Sequence, residues 1–192
     1  MELERFSVQL KIRDGAECGN NAIPFISDTT RWKKVFSHDT SGGVFADPKD
    51  AMNKNPDNEN AKLFSILDKL EMFRDEEGNF HLKLCYPEVK YTAIYPCNEW
   101  KQSSNPVFEP KVTGYKPMIL AFHKNSAGIF AGLGPSTATT STLIDEKPHG
   151  NWYFAVGALK FWHKKDTIPG PLAETSDLSA VRKVELFVKV SE

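Results

Sequence analysis

Phe6-Ser-Val-Gln-Leu-Lys-Ile12 alternates apolar and polar residues, the two-residue period of a strand with one buried face, and predicts the first strand. Trp32 to His38 predicts a second, closed by the flexible turn Asp39-Thr-Ser-Gly-Gly43. Phe80-His-Leu-Lys-Leu-Cys-Tyr86 alternates cleanly; Pro87 confines its far end to an edge or turn, and Val89 to Tyr95 is its expected partner. Met118 to His123 reads as a compact apolar strand, and Ala127 to Leu133 as another with a glycine-marked bulge. Gly150 to Trp162 is an aromatic-rich run, expected to be a central strand and followed by the turn-forming Thr167-Ile-Pro-Gly-Pro171. Arg182 to Val190 ends the series, with Val184, Leu186, Val188 and Val190 on a core face and Lys183, Glu185, Phe187 and Lys189 on a mostly wet one.

A different period occurs between Ala61 and Arg74. There Leu63, Ile66, Leu67, Leu70 and Phe73 recur at three- and four-residue intervals, which predicts one amphipathic helix lying on a sheet or covering its edge. Phe45 to Asn60 is polar and poor in large apolar groups, hence an expected surface excursion. Gly134 to Thr142 is small and polar, an expected loop. Many short strands, one helix and no linker between two cores make residues 1–192 a single domain. Its expected class is all-β, mainly antiparallel, a β-sandwich or jelly roll with one amphipathic helix, with a flattened barrel as the second architecture.

Charge removes some partners from consideration. The chain has 24 basic and 25 acidic side chains, with neither sign in a long block, so nucleic acid is not an expected partner. No run approaches the roughly 18 to 20 apolar residues that span a bilayer. The charged start Met1-Glu-Leu-Glu-Arg5 is not a signal peptide, so the expected location is extracellular for a mature domain and cytoplasmic otherwise. Cys18, Cys85 and Cys97 lack zinc or redox spacing. Two readings stay open: free thiols, or a bridge between Cys85 and Cys97 across a hairpin.

Catalytic signatures for nucleotide binding, serine hydrolysis and zinc proteolysis are absent from the sequence. His38, His81, His123, His149 and His163 have no spacing that aims two imidazoles at one metal. The segment Asn98-Glu-Trp-Lys-Gln-Ser-Ser-Asn105 surrounds an indole with amides, hydroxyls and a carboxylate, and alternation puts Asn98, Trp100 and Gln102 on one face. Sugar recognition uses that combination, the ring stacking on C–H groups while the amides bond hydroxyls. Asp145, Glu146 and His149 form a polar loop before the aromatic run and are the expected rim of such a site. The expected function is a non-enzymatic, lectin-like module for carbohydrate or another polar surface ligand. The alternatives are a glycosidase-like enzyme pairing Glu99 with Asp145 or His149, and a carrier of an apolar ligand or chromophore lined by some of the 13 Phe, 5 Tyr and 4 Trp. No cofactor is expected beyond a Ca²⁺ ion in the loop carrying Asp39, Asp47 and Asp50.

Trp32-Lys-Lys-Val-Phe-Ser-His-Asp-Thr-Ser-Gly-Gly43, Leu63-Phe-Ser-Ile-Leu-Asp-Lys-Leu-Glu71, Asn98-Glu-Trp-x-Gln-x-Ser-Asn-Pro106 and Asn151-Trp-Tyr-Phe-Ala-Val-Gly157 together resemble an uncharacterised extracellular-type module. It belongs to animal proteins, especially marine invertebrate ones, and stands beside adhesion domains. The opening Trp strand is also faintly similar to fibrinogen-like and intelectin-like lectins. This resemblance implies an extracellular recognition module with no catalytic residues to carry over.

Overall fold

Antiparallel pairing organises the chain. The computed structural model describes residues 31–89, 96–122, 124–125, 128–137, 139–146, 153–162, 166–171 and 180–190. The expected strand Phe6 to Ile12, Cys18, His123, His163 and nearly all of Val89 to Tyr95 lie outside these residues. A seven-stranded sheet uses β1 (Arg31–Asp39), β2 (Asn53–Lys54), β3 (Leu63–Ile66), β4 (Phe80–Cys85), β5 (Cys97–Gln102), β6 (Lys116–Leu120) and β14 (Lys183–Val190). Their spatial order is β2-β3-β1-β14-β4-β5-β6, so the last strand of the chain sits at the centre, beside the first described one.

Between β6 and β14 run short pieces, β7 (Lys124–Asn125), β8 (Gly128–Ile129), β9 (Leu133–Pro135), β10 (Thr142–Glu146), β11 (Val156–Ala158), β12 (Ile168–Pro169) and β13 (Ala180–Val181). Strands β9, β10 and β11 make a second antiparallel sheet, while β7 pairs with β8 and β12 with β13. Leu133, Ile144, Phe154 and Val156 of this part share one buried cluster with Phe36, Leu82, Trp100 and Leu186 of the large sheet. The fold is therefore all-β and mainly antiparallel, with its core on the inner face of the large sheet. Only Val156–Ala158 of the aromatic run is a strand among the described residues, and it lies in the small sheet. No described helix is long and apolar enough to cross a membrane.

The strand periods set this arrangement. Val184, Leu186 and Val188 are buried in β14, whereas Glu185 and Phe187 between them are partly exposed, as alternation demands. The outer face is tiled by long side chains: the Lys83 ammonium lies 4.0 Å from the Trp32 ring centroid and 5.3 Å from that of Phe187. Lys34 bonds Glu185 at 3.0 Å and His81 bonds Glu99 at 2.8 Å.

The structure corrects the helix expected over Ala61 to Arg74. Leu63–Ile66 is strand β3, paired with β1 and β2, and only Leu67–Phe73 is helical, as a 3₁₀ segment. The reason is the spacing: Leu67, Leu70 and Phe73 are three apart, and a helix of three residues per turn stacks them on one line. The α-helix among the described residues is elsewhere, α1 (Pro48–Met52), begun by Asp47, whose carboxylate accepts the Asp50 N–H at 2.8 Å. Phe45 to Asn60 is thus no bare surface excursion. Phe45 is buried against Phe36, with ring centroids 5.4 Å apart, and Ala51 is buried too.

Among the described residues β4 pairs with β14 on one side and with β5 on the other, the latter in register from Phe80 opposite Gln102 to Cys85 opposite Cys97. That register puts the two Cα atoms 4.1 Å apart and the bridge forms. Closing a loop of this size removes unfolded-chain entropy worth about 2–4 kcal/mol. Replacing both cysteines by alanine should lower unfolding stability by that amount in urea titrations with no change of strand content by circular dichroism. An unchanged midpoint would show that the β4–β5 ladder alone fixes the hairpin.

Candidate functional site

Strand β5 carries the segment that most looked like a site. Its inner face holds Asn98, Trp100 and Gln102, as alternation predicts, and all three are fully buried. The Asn98 side chain donates to the Phe122 carbonyl at 2.7 Å and accepts the Phe122 N–H at 2.8 Å, so it pairs with that residue as a neighbouring strand would. Gln102 Oε1 accepts the Trp100 indole N–H at 2.8 Å and the Leu133 N–H at 3.1 Å. Its Nε2 donates to the carbonyls of Ser104 at 2.8 Å and Leu133 at 3.0 Å. Gly132 is required beside it: φ is +98°, and a Cβ there would stand 2.9 Å from Gln102 Oε1.

Trp100 is 0% exposed and meets Phe130 edge-on, 4.9 Å between centroids, so neither face is open to a stacking ligand. The rest of the segment is structural as well. Ser104 accepts the Thr113 N–H, while Asn105 bonds Glu71 and caps its own turn through the Val107 N–H.

Asp145 and Glu146 are interior too, where a rim was expected. Asp145 Oδ1 accepts the N–H groups of Glu146, Tyr153 and Phe154 at 2.8, 3.0 and 3.2 Å, clamping the start of the aromatic run onto β10. Glu146 is sealed near two phenols. Burial, with Glu146 adding to it, pushes the Tyr115 hydroxyl up to about 12. His149 lies outside the described residues. The glycosidase pairing of Glu99 with Asp145 finds no shared groove, because Glu99 sits on the outer face bonded to His81 while Asp145 is enclosed. The aromatic rings pack on one another, Phe130 against Phe154 at 4.9 Å and Tyr86 against Phe122 at 5.6 Å.

A cleft opens at the end of the large sheet where β1 and β4 finish and β14 begins. It encloses about 520 Å³ and is lined by Asp39, Thr40, Ser41, Glu88, Phe161, Asp166 and Arg182. Local chemistry shapes it. Asp39 Oδ1 accepts both the N–H and the hydroxyl of Ser41, at 2.9 and 2.6 Å, which folds the 3₁₀ turn Thr40–Gly42. The Ser41 hydroxyl is also the main reason that the Asp39 carboxyl is held below its usual range. The Thr40 N–H donates to the Arg182 carbonyl at 2.8 Å, tying the turn to β14.

Behind the turn, His38 is buried edge-on to Phe45, and its Nε2 bonds the Gly43 carbonyl at 2.8 Å. A carbonyl only accepts, so Nε2 carries the proton and Nδ1 is the bare nitrogen, which has no partner. Burial holds the imidazole below its ordinary value, against the opposing pull of Gly43 and Asp39.

The cleft keeps uncommitted polar groups. Thr40 is 4% exposed, yet its hydroxyl makes no hydrogen bond among the described residues. Glu88, Asp166 and Arg182 make no side-chain bond or ion pair among them either, and stand at the mouth. Sequence reasoning singled out Asp39 alone here, as a calcium ligand. Asp47 and Asp50 are spent on α1, Asp50 also bonding Lys54 at 2.7 Å, and no group of three acidic, His or Cys residues among the described ones is placed to hold a metal. No protein-family model matches the chain, and no curated protein or solved structure matches it either.

Two outcomes follow from this geometry. Gln102→Leu strands the indole N–H and both Leu133 groups, and should cost roughly 3 kcal/mol or more in chemical denaturation. A loss below about 1 kcal/mol would show the amide to be replaceable. Stability should also fall in mild acid. An imidazole whose folded value lies below its unfolded one leaves the folded state fully stable above about pH 6.5, and that stability drains as pH drops below it. Urea midpoints should decline from pH 7 to 5.5, and His38→Gln should flatten the decline, leaving the smaller share of His81, which burial also holds down.

Proposed function

We propose that the chain is a non-enzymatic, lectin-like recognition module that takes a polyhydroxylated ligand, a saccharide, in the cleft between the β1 turn, Phe161 and Arg182. The observation that carries this reading is the cleft itself, about 520 Å³ with the Thr40 hydroxyl, the Glu88 and Asp166 carboxylates, the Arg182 guanidinium and the Phe161 ring on one lining. Carboxylates accept pairs of sugar hydroxyls, a guanidinium donates to ring and hydroxyl oxygens, and an aromatic ring covers the apolar face of a pyranose. The volume suits a small ligand, within the roughly 300–1,000 Å³ of such sites.

The Cys85–Cys97 bridge supports an oxidising, extracellular setting, as the resemblance to an adhesion-associated module implies. A two-layered β-sandwich or jelly roll with its ligand at one end suits that role.

Saccharides titrated with and without Ca²⁺, followed by tryptophan fluorescence and calorimetry, test the reading. Thr40→Val and Arg182→Gln should each weaken binding about tenfold, and Asp166→Asn should do so without strain, because Asn tolerates the positive φ of 46° there. If no saccharide binds, or the three variants bind as the parent does, the cleft is not a sugar site.

A further inference from the structure

The wall of the end cleft that Asp39, Thr40 and Ser41 supply is a short turn, and a buried imidazole stands behind it. Alternation along β1 turns His38 inward, while its neighbours Ser37 and Asp39 line an outer pocket with Lys62 and Lys183. Leu63 of β3 and Val184 of β14 stand opposite His38 in register, and Phe45 covers it edge-on, 5.2 Å between centroids. The ring is fully buried. Its Nε2–H donates to the Gly43 carbonyl one residue past the turn, so the imidazole props the segment that carries the chain from Thr40–Gly42 back toward Phe45.

The turn has few other ties. The Thr40 N–H donates to the Arg182 carbonyl at 2.8 Å, the Gly43 N–H returns to the Thr40 carbonyl at 3.0 Å, and Ser41 is bonded to Asp39 beside it. Ser41 and Gly42 are exposed. A second proton on the ring would go to Nδ1, which is buried without a partner among the described residues. An imidazolium there would aim an N–H with no acceptor into a setting of Leu63, Val184 and Phe45, and a buried charge left unpaired is costly. Among the described ionisable groups Asp39 is the one that acts on the ring, and its carboxylate is committed to Ser41, with Lys62 and Lys183 beside it. Burial outweighs the pull of the Gly43 carbonyl and of Asp39, and holds the imidazole below its ordinary value.

We propose that His38 is a proton-operated catch on the end cleft: neutral, it holds the Gly43 carbonyl and keeps Asp39, Thr40 and Ser41 in the ligand-binding wall; protonated in mild acid, it leaves its slot for water, the turn opens and the cleft releases its guest. This rests on the reading of the cleft as a saccharide site and adds its regulation. Linkage sets the direction. An imidazole freed by the open turn titrates near its ordinary value of about 6.5, so the closed wall is fully favoured above about pH 6.5 and its advantage shrinks below that, by at most about tenfold per pH unit for one proton.

Hydrogen exchange of the whole ¹⁵N-labelled chain, free of ligand, tests the catch between about pH 7 and 5.5, where exposed carboxylates stay ionised. Corrected for intrinsic rate, protection of the Thr40 and Gly43 amides should fall several-fold across that interval and stay below that of the β14 amides throughout, as a local opening requires. His38→Gln, whose amide can still donate to a carbonyl but takes no proton, should abolish the fall. His81→Gln, on the outer face of β4, should leave it in place. Protection in the parent that ignores pH, or the same fall in His38→Gln, would overturn the proposal. So would turn amides that exchange only together with those of β14, because acid would then be unfolding the chain rather than opening its cleft; the parent alone supplies this comparison if His38→Gln does not fold. A saccharide that binds at pH 7 should lose affinity over the same interval in the parent and keep it in His38→Gln, and an affinity indifferent to acid while the turn opens would break the link between catch and cleft. A turn that opens in acid with no saccharide bound at any pH would support the catch and remove the saccharide from the cleft.

Discussion

One buried carboxamide holds the two halves of this fold in place. The inner face of β5 meets Phe122 and Leu133, neither of which pairs with β5 as a strand among the described residues. Peptide groups packed there lose water, and each left unbonded costs on the order of 1–3 kcal/mol. Gln102 supplies a peptide's worth of donor and acceptor to Leu133, as Asn98 does to Phe122. The same Gln102 oxygen takes the indole proton of Trp100, fixing the ring against Phe130, which in turn packs on Phe154 and so reaches the small sheet. The contact demands a glycine at position 132, because the backbone comes within a Cβ radius of the amide oxygen.

This explains why the segment around Trp100 looks like a binding site in one dimension. Amides at alternate positions beside an indole suit sugar hydroxyls and suit buried backbone equally well, since both present donors and acceptors at similar spacing. The deciding partners lie 24 and 31 residues further along, so the local pattern holds no signal to separate the two. Amides beside an indole do mark polar surroundings, and the polar groups they satisfy here are main-chain ones. Asp145 repeats the lesson, with its three accepted N–H groups.

Strands with one wet face were legible because alternation is a property of each strand alone: β1, β4 and β14 fall where the period puts them. Pairing was less so. The nearest extended run, Val89 to Tyr95, lies almost wholly outside the described residues, and the described ladders join β4 to β14 and to β5, partners that no local period announces. The stripe from Leu63 to Phe73 mixes two periods, and an average over the window reads as an α-helix where a strand passes into a 3₁₀ segment. The end cleft was illegible for a plainer reason: Thr40, Glu88, Phe161 and Arg182 come from four separate segments, and no spacing relates them.

Where the molecule can still act is decided by what its outer face has already used. Lys83 on Trp32 and Phe187, Lys34 on Glu185, and His81 on Glu99 satisfy one another across adjacent strands. A ligand laid on the middle of that face would have to break these pairs for little return, since exposed ion and cation–π pairs are worth only about 0.5–1 kcal/mol each yet are met at no further cost. Among the described residues, unspent hydrogen-bonding capacity lies at the end of the sheet, around Thr40 and Arg182, and the backbone edges without a partner strand are those of β2 and β6.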